Sequence, residues 1–437
     1  MEYEEAVSYD NLLDELNPCI RGTLWKDSTA RYWIHRLKNT YLLWQDLHDG
    51  TYSISIYLWF LITEPKEREI YASYIRDRQL QHSLIDLVVY PAVSRTFVAG
   101  NCACQKGKGT KYCIDFFVAL LREYARINGY EGYVLQCDIK KFFPSTHHDV
   151  ACEVISKFVD PKTAKACCDV IRSFAEFDFA KMLMTHGMEK KAAHLLGHKV
   201  SNYLLFGGEW EKVIKGLPEE IIKAIEARIK EGDFKGVGLG SQVIQTVQVT
   251  LLSGMDHYIT ETLGIKVYVR YMDDFILVHE SKEYLKYCRM KIEEYLATLK
   301  LVLNPKTQLY PLKRGIILLH WRIRVSVTGK VIVHKHRVKI NRERRRLLKH
   351  KKLLDAGKMT MKDVETSFQC WQSCLLQQKC YLQVICMRRF YRIVFNGRRA
   401  PEWNSKYRRL KMQEKIVLSS MKDPSYPECL VNGMKPQ

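Results

Sequence analysis

Two runs of β-forming residues, four positions apart, constrain this chain more than any other stretch. Ile265-Lys266-Val267-Tyr268-Val269-Arg270 is the first and Phe275-Ile276-Leu277-Val278 the second, with Tyr271-Met272-Asp273-Asp274 between them. Strand, tight turn, strand predicts a β-hairpin carrying two acids at its tip. Adjacent carboxylates repel, and packing gives no reason to place them together. A hard divalent cation would, because Mg²⁺ takes oxygen ligands, usually one or two carboxylates together with substrate phosphates. Most acid pairs in turns are simply solvated turn residues, so the rest of the chain must supply the other parts of a site.

At 437 residues the chain is long enough for two or three domains, taking roughly 150 residues for each. A hydrophobic share of 47% supports a large core and excludes a chain disordered as a whole. Lysine and arginine number 69 against 48 acids, a formal charge of +21. Such a balance calls for a polyanionic partner, and nucleic acid is the first candidate. The N-terminus, Met1-Glu2-Tyr3-Glu4-Glu5, does not read as a secretory leader, so the fourteen cysteines are expected as reduced thiols in a cytoplasmic protein. Cys102-Ala103-Cys104 has no second Cys/His pair at zinc-finger spacing. No run of 18 apolar residues exists, so no membrane partner is expected.

Residues 1–50 read as a helical extension. Residues 52–63 read as a strand that turns at Glu64-Pro65-Lys66-Glu67-Arg68 into a second strand, placing Lys66 and Arg68 near a hairpin tip. A helix is predicted over 76–89, stopping at Pro91. The loop 101–110 is rich in glycine and lysine. It does not meet the Walker spacing, but Lys106 and Lys108 suit a loop that grips a nucleic-acid backbone. After a helix over 111–127, Tyr133-Val134-Leu135-Gln136-Cys137 reads as a buried strand ending in Asp138. An acid there is costly unless exposed or metal-bound; capping the next turn is the other reading. Residues 151–235 are predicted helical. The Gly-rich turn Gly236-Val237-Gly238-Leu239-Gly240-Ser241 then leads into a helix over 242–262, and another helix covers 281–299. Strands continue to about residue 333. A basic helix over 335–352 and a Trp371-bearing helix over 360–395 follow, and the last forty residues show no period.

If the Asp138 strand pairs beside the hairpin, three carboxylates converge. That arrangement suits two Mg²⁺ ions in an in-line phosphoryl transfer, one activating the attacking hydroxyl and one supporting the leaving pyrophosphate.

Four stretches occur in a telling order: Asp138-Ile139-Lys140-Lys141-Phe142-Phe143-Pro144-Ser145, the Gly-Ser turn, Tyr271-Met272-Asp273-Asp274, and Leu303-Asn304-Pro305-Lys306-Thr307. Together they resemble the successive motifs of reverse transcriptases, over about residues 50 to 395. They look most similar to bacterial enzymes of the group II intron and diversity-generating retroelement kind. The resemblance implies an α/β (α+β) right-hand polymerase with fingers over 51–132, an antiparallel-sheet palm over 133–333 with a helical expansion at about 155–235, and a helical thumb over 334–398. Residues 1–50 would be an N-terminal extension and 399–437 a tail. It further implies RNA-directed DNA polymerase activity, adding dNTPs to a 3′-hydroxyl with two Mg²⁺ ions or Mn²⁺ in their place. Asp138 and Asp273 would hold the metals, with the Ile139 carbonyl assisting and Asp274 supporting. Lys66 and Arg68 would contact the incoming triphosphate, Phe143 would exclude a ribose 2′-hydroxyl, and Gln245 and Lys306 would complete the nucleotide site. Lys106, Lys108, Trp321 in a primer-grip position, and Arg337, Lys339, Arg344, Arg345 and Lys349 of the thumb would hold the RNA template and its DNA or RNA primer.

Two positions depart from the family pattern. Gln105 stands where many relatives carry an arginine, and Ile244 precedes Gln245 where relatives of the diversity-generating type carry a serine. No Cys- or His-rich nuclease segment follows the thumb. A retroelement polymerase, with a small basic accessory protein as a further partner, is the first expectation and an antiphage-defence reverse transcriptase the second. A nucleic-acid-binding protein with a non-functional polymerase site is the third.

Overall fold

The computed structural model describes residues 2–63 and 66–402. The chain forms two compact units. One contains the chain up to Phe117 and Tyr133–Leu309; the other contains Val118–Gly132 and the chain from Tyr310 onward.

In the first unit a two-stranded hairpin pairs β1 (Leu58–Ile62) with β2 (Arg68–Ala72), Ile62 standing opposite Arg68. The strand predicted from residue 52 begins only at Leu58. Residues before it are bonded to side chains of the helix Ile75–Ser83 instead of to a strand: Asp77 accepts the Ser55 N–H at 3.3 Å, and Arg76 donates to the Ser53 carbonyl at 3.2 Å. That helix does not stop at Pro91. It passes through a π-helical stretch, Leu84–Val89, into a further helical segment, Tyr90–Ser94. A π-bulge shifts the hydrogen-bond phase, and the proline then lies in the first turn of the next segment, where its missing N–H costs nothing.

The central sheet comprises β3 (Tyr133–Asp138), β4 (Val267–Tyr271), β5 (Asp274–His279) and β6 (Gln308–Pro311), in the spatial order β4-β5-β3-β6. The two-residue link between β4 and β5 confirms the hairpin read from the sequence. Phe275 to Val278 are all buried; helix Lys282–Thr298 covers the face that carries Phe275 and Leu277, with Leu285, Ile292 and Leu296 in the same core as Leu135 and Leu277. The free edge of β4 is closed by residues 100–102: the Arg270 N–H donates to the Gly100 carbonyl at 2.8 Å, and the Cys102 N–H to the Arg270 carbonyl at 3.0 Å. Gly100 is required there, since a Cβ would lie 2.7 Å from the Tyr268 carbonyl oxygen.

The stretch between β3 and β4 is helical, as predicted. Helices Ala175–Thr185, Lys190–Phe206 and Glu219–Glu231 share a core of Phe179, Leu183, Val200 and Ile225. An aromatic group of Tyr57, Trp59, Tyr71, Phe174 and Phe177 joins this helical region to the β1–β2 hairpin, with Tyr71 and Phe177 ring centres 3.9 Å apart. The Gly-rich turn runs along β2, the Tyr71 N–H donating to the Leu239 carbonyl at 3.1 Å.

The second unit holds the antiparallel meander β7 (Ile316–Leu318), β8 (Trp321–Val325) and β9 (Val331–Lys335), followed by helices Arg337–Asp355, Met361–Gln377 and Tyr381–Val394. The single helix predicted over 360–395 is two helices, because Lys379 takes a left-handed φ of 56° between them. Their common core includes Leu347, Phe368, Met387 and Tyr391. The fold is therefore a mixture of helices and antiparallel sheets, as expected. Among the described residues no helix is long and apolar enough to cross a membrane. Most of the tail, residues 403–437, lies outside the described residues.

Candidate active site

Strand pairing brings the three acids together. Asp138 ends β3 and stands directly opposite Asp274, the first residue of β5. Asp274 is also opposite Tyr271 across the β4–β5 turn, which leaves Met272 and Asp273 as the two turn residues. A two-residue hairpin needs positive φ at its first turn position to match strand twist, and Met272 adopts +58°. A side chain other than glycine is strained in that conformation, and such residues persist only where their surroundings hold them.

Charge crowding is visible at the acids. The packed turn desolvates the Asp274 carboxyl, although the residue opens to solvent on one side. With the Asp273 and Asp138 charges beside it, this pushes Asp274 from 3.8 up to about 6 against the opposing pull of Lys66. Asp273 is raised for the same first cause, burial, and by Asp138; its own backbone N–H, Arg68 and Lys66 pull it down. Of the two hairpin cations predicted from the sequence, Lys66 therefore acts on both carboxylates and Arg68 on Asp273. Repelling acids held at strand ends, with basic groups facing them, are a donor set that fits hard divalent cations. The main chain adds to the fit. Ile139 pairs with Leu303 as an isolated antiparallel bridge flanked by hydrogen bonds from Lys140 N–H to Val302 and from Asn304 N–H to Asp138. In such a pair the residue's own carbonyl points away from its partner, so the Ile139 oxygen is not consumed there.

Asn304 belongs to this site as well, a residue to which the sequence alone assigns no role. Its Nδ2 donates to Asp138 Oδ2 at 2.6 Å, its N–H donates to the Asp138 carbonyl at 2.7 Å, and its Oδ1 accepts the Lys306 N–H at 3.1 Å. The signal was present: an amide between a strand-like leucine and a proline can bridge backbone and side chain. Lys306 itself is exposed.

The remaining candidates separate into groups. Phe143 is half-buried and packs against two of the hydrophobic clusters of the first unit. Gln245 is exposed on helix Gln242–Leu251, whose N-cap is Ser241. In the basic loop, Lys106 pairs with Asp86 at 3.1 Å and lies over the Tyr90 ring. Lys108 donates to the carbonyls of Asn101, Val98 and Ala99, so both lysines hold the loop's own conformation. Asp86, Glu15 and His82 bring ligand atoms within 4.8 Å of one another, but the Lys106 ammonium already supplies the positive charge there. In the second unit Trp321 is 4% exposed, with the Lys335 ammonium 4.0 Å from its ring centre. At the expected primer-grip position the Trp321 ring is thus covered, and it is the neighbouring strand residues Arg322 and Arg324 that are exposed. Arg337, Arg345 and Lys349 are exposed on helix Arg337–Asp355; Lys339 and Arg344 are half-buried, with Arg344 over the Phe390 ring.

No protein-family model matches the chain, and no curated protein does either. Similar solved structures include telomerase from Candida albicans in complex with a TWJ fragment of telomeric RNA: 10% identity, 92% of this chain, 70% of that one, TM-score 0.40. Another is apo telomerase from Candida tropicalis truncated from the C-terminal domain: 12% identity, 69% of this chain, TM-score 0.36. This chain spans 60% of the length of the latter.

Proposed function

We propose that this chain is an RNA-directed DNA polymerase, adding deoxynucleotides to a primer 3′-hydroxyl on an RNA template. The register of Asp138 against Asp274, with Asp273 in the adjoining turn, carries this reading. Asp138, Asp273 and Asp274, with the Ile139 carbonyl, would hold two Mg²⁺ ions, which supply charge neutralisation and a metal-activated hydroxyl. The protein's own groups orient and neutralise. Asn304 fixes the Asp138 carboxylate. Lys66 and Arg68 meet the triphosphate from the hairpin. Phe143 follows Asp138 closely enough in the chain to act on the sugar. Little covalent chemistry is asked of the protein, as phosphoryl transfer requires. The biological setting favoured is a diversity-generating retroelement, acting in the cytoplasm, on the basis of the 101–110 loop and the three-helix segment after β9. The helical region over about 160–235, in which the helices from Ala175 onward share a core, favours an antiphage-defence polymerase as the second reading.

Primer extension on poly(rA)/oligo(dT) with Mg²⁺ tests the chemistry. Incorporation by the wild type and essentially none by Asp273→Ala/Asp274→Ala is expected. Equal incorporation by both would reject the assignment. A neighbouring gene for a variable protein with a near-identical template repeat would separate the retroelement role from the defence role.

A further inference from the structure

Beneath the acidic turn lies an ion pair that the polymerase chemistry does not itself use. Arg270 and Asp256 are both fully buried. Arg270 Nε donates to Asp256 Oδ1 and Nη2 to Asp256 Oδ2, each at 2.6 Å, and the Tyr268 hydroxyl donates to the same Oδ1 at 2.6 Å. The guanidinium has two further bonds: Nη2 to the Val249 carbonyl at 3.2 Å and Nη1 to the Met272 carbonyl at 3.1 Å. Its backbone is held as well, between Gly100 and Cys102.

Stability alone does not explain this arrangement. A buried ion pair seldom outperforms apolar side chains of similar volume, because desolvation offsets the attraction. What the charge adds is direction. A planar fork clamped on one carboxylate aims its remaining arm at a fixed point, and that point is the carbonyl of Met272, the strained first residue of the turn. Asp256 lies in helix Ser253–His257, which continues the helix opened by the Gly-rich turn. The pair therefore couples that helix to the acids across the sheet.

We propose that Arg270, clamped by Asp256 and Tyr268, is a positioning residue that holds the Met272-Asp273 turn in its metal-binding conformation. The inference rests on the polymerase reading for its consequence in catalysis, but its direct readout is divalent-cation affinity.

The test uses the full chain and four proteins: wild type, Arg270→Lys, the apolar replacement Asp256→Leu/Tyr268→Phe/Arg270→Met, and Asp273→Asn/Asp274→Asn. Mn²⁺ affinity is measured by the loss of the free-ion EPR signal, beside thermal unfolding and primer-extension kinetics. Asp273→Asn/Asp274→Asn identifies the binding that belongs to the turn. The apolar replacement is expected to unfold cooperatively and yet bind Mn²⁺ at least tenfold more weakly, with kcat reduced similarly and KM for primer–template unchanged. Arg270→Lys, which keeps the charge but cannot span Asp256 and Met272 together, should show the same direction. That variant decides the matter if the apolar replacement does not fold. Turn-dependent Mn²⁺ affinity within twofold of wild type in a folded variant would overturn the inference while leaving the polymerase reading intact. A wild type without primer extension, but with Mn²⁺ binding that Arg270→Lys weakens, would reject the polymerase reading and keep the inference. Absence of any turn-dependent Mn²⁺ binding by the wild type would overturn both.

Discussion

Asn304 holds Asp138 at both ends of the residue: its side-chain amide donates to the carboxylate and its backbone N–H donates to the carbonyl. A carboxylate fixed in this way presents its other oxygen in one direction. Groups that orient a metal ligand are typically worth about 10–100-fold in affinity or activity. Asn304→Ala should therefore lower primer-extension kcat by about that factor and raise the Mg²⁺ concentration needed for half-maximal rate. Asn304→Asp, which sets a fourth carboxylate against Asp138, should be worse than alanine. Titration of Mg²⁺ against initial rate checks both, and an unchanged Mg²⁺ requirement in Asn304→Ala would remove the residue from the site.

The Asp274 carboxyl titrates at about 6 in the metal-free protein, raised from 3.8 by burial and by Asp273 and Asp138. A carboxyl with a raised folded-state pKa binds more protons folded than unfolded between those two values. Stability is therefore gained as pH falls from above 6 toward 4 and lost as pH rises through 6. The unfolding temperature of the metal-free protein should gain a contribution on acidification from about pH 7 to pH 5 that is missing in Asp274→Asn. Protons and metal compete for the same carboxylate, so half-saturating Mg²⁺ should climb as pH falls below about 6. Lys66→Ala, by removing the cation that opposes the shift, should move that climb to higher pH. A wild-type Mg²⁺ requirement that is flat across this range would count against Asp274 as a ligand.

The hairpin was legible because every part of its signal is local: two β-forming runs and a short acidic turn between them; the pairing of Asp138 with Asp274 joins distant parts of the chain and stood in the sequence only as a condition. The hydrophobic strand that ends in Asp138 carried the same kind of information. What escaped were relationships that span the fold. Arg270 reads as one more member of a β-forming run until the structure sets Asp256, fourteen residues earlier and on a helix, against its guanidinium at 2.6 Å. Lys106 and Lys108 read as a gripping pair because sequence shows charge but not the Asp86 carboxylate or the carbonyls that occupy it. Trp321 alternates along its strand with exposed residues, but which face is covered depends on β9 and on Lys335. Pro91 reads as a helix stop only if hydrogen bonding keeps a single phase, which the π-helical segment before it does not.

Gly238 has no room for a side chain: a Cβ would collide with the rings of Phe174 and Tyr71. At Gly240, φ is +133° and a Cβ would lie 2.7 Å from the Tyr71 carbonyl oxygen. Both glycines let the turn lie flat on β2. Gly238→Ala should destabilise the first unit by about 1–3 kcal/mol, the usual cost of overpacking a filled core. The double variant Gly238→Ala/Tyr71→Leu should recover part of it, because it shortens one of the two opposing groups. Thermal unfolding checks this, and a Gly238→Ala protein as stable as wild type would mean that the turn can lift off the strand without loss.

Helix Arg337–Asp355 carries cations on turns that its core residues leave free. Leu347 is fully buried, whereas Arg337, Arg345 and Lys349 are exposed. Exposure separates these three from Arg346, which pairs with the buried Glu343 at 2.8 Å, and from Arg344, which covers the Phe390 ring at 5.5 Å. Replacing the exposed three by alanine should leave the unit folded, since no core contact is removed, and should act on phosphate binding alone. Each neutralised phosphate contributes roughly 0.7–0.9 to the slope of log affinity against log salt. The triple variant should then bind a template–primer duplex more weakly at low salt and show a slope shallower by about 2–3. The weakening should be similar for duplexes of different sequence, because phosphate contacts carry no sequence information. Arg344→Ala is the informative contrast: it should lower the unfolding temperature by uncovering Phe390 and change the salt slope less than any of the exposed three. Fluorescence anisotropy over a salt series measures the slopes, and a triple variant with the wild-type slope would move the phosphate contacts away from this helix.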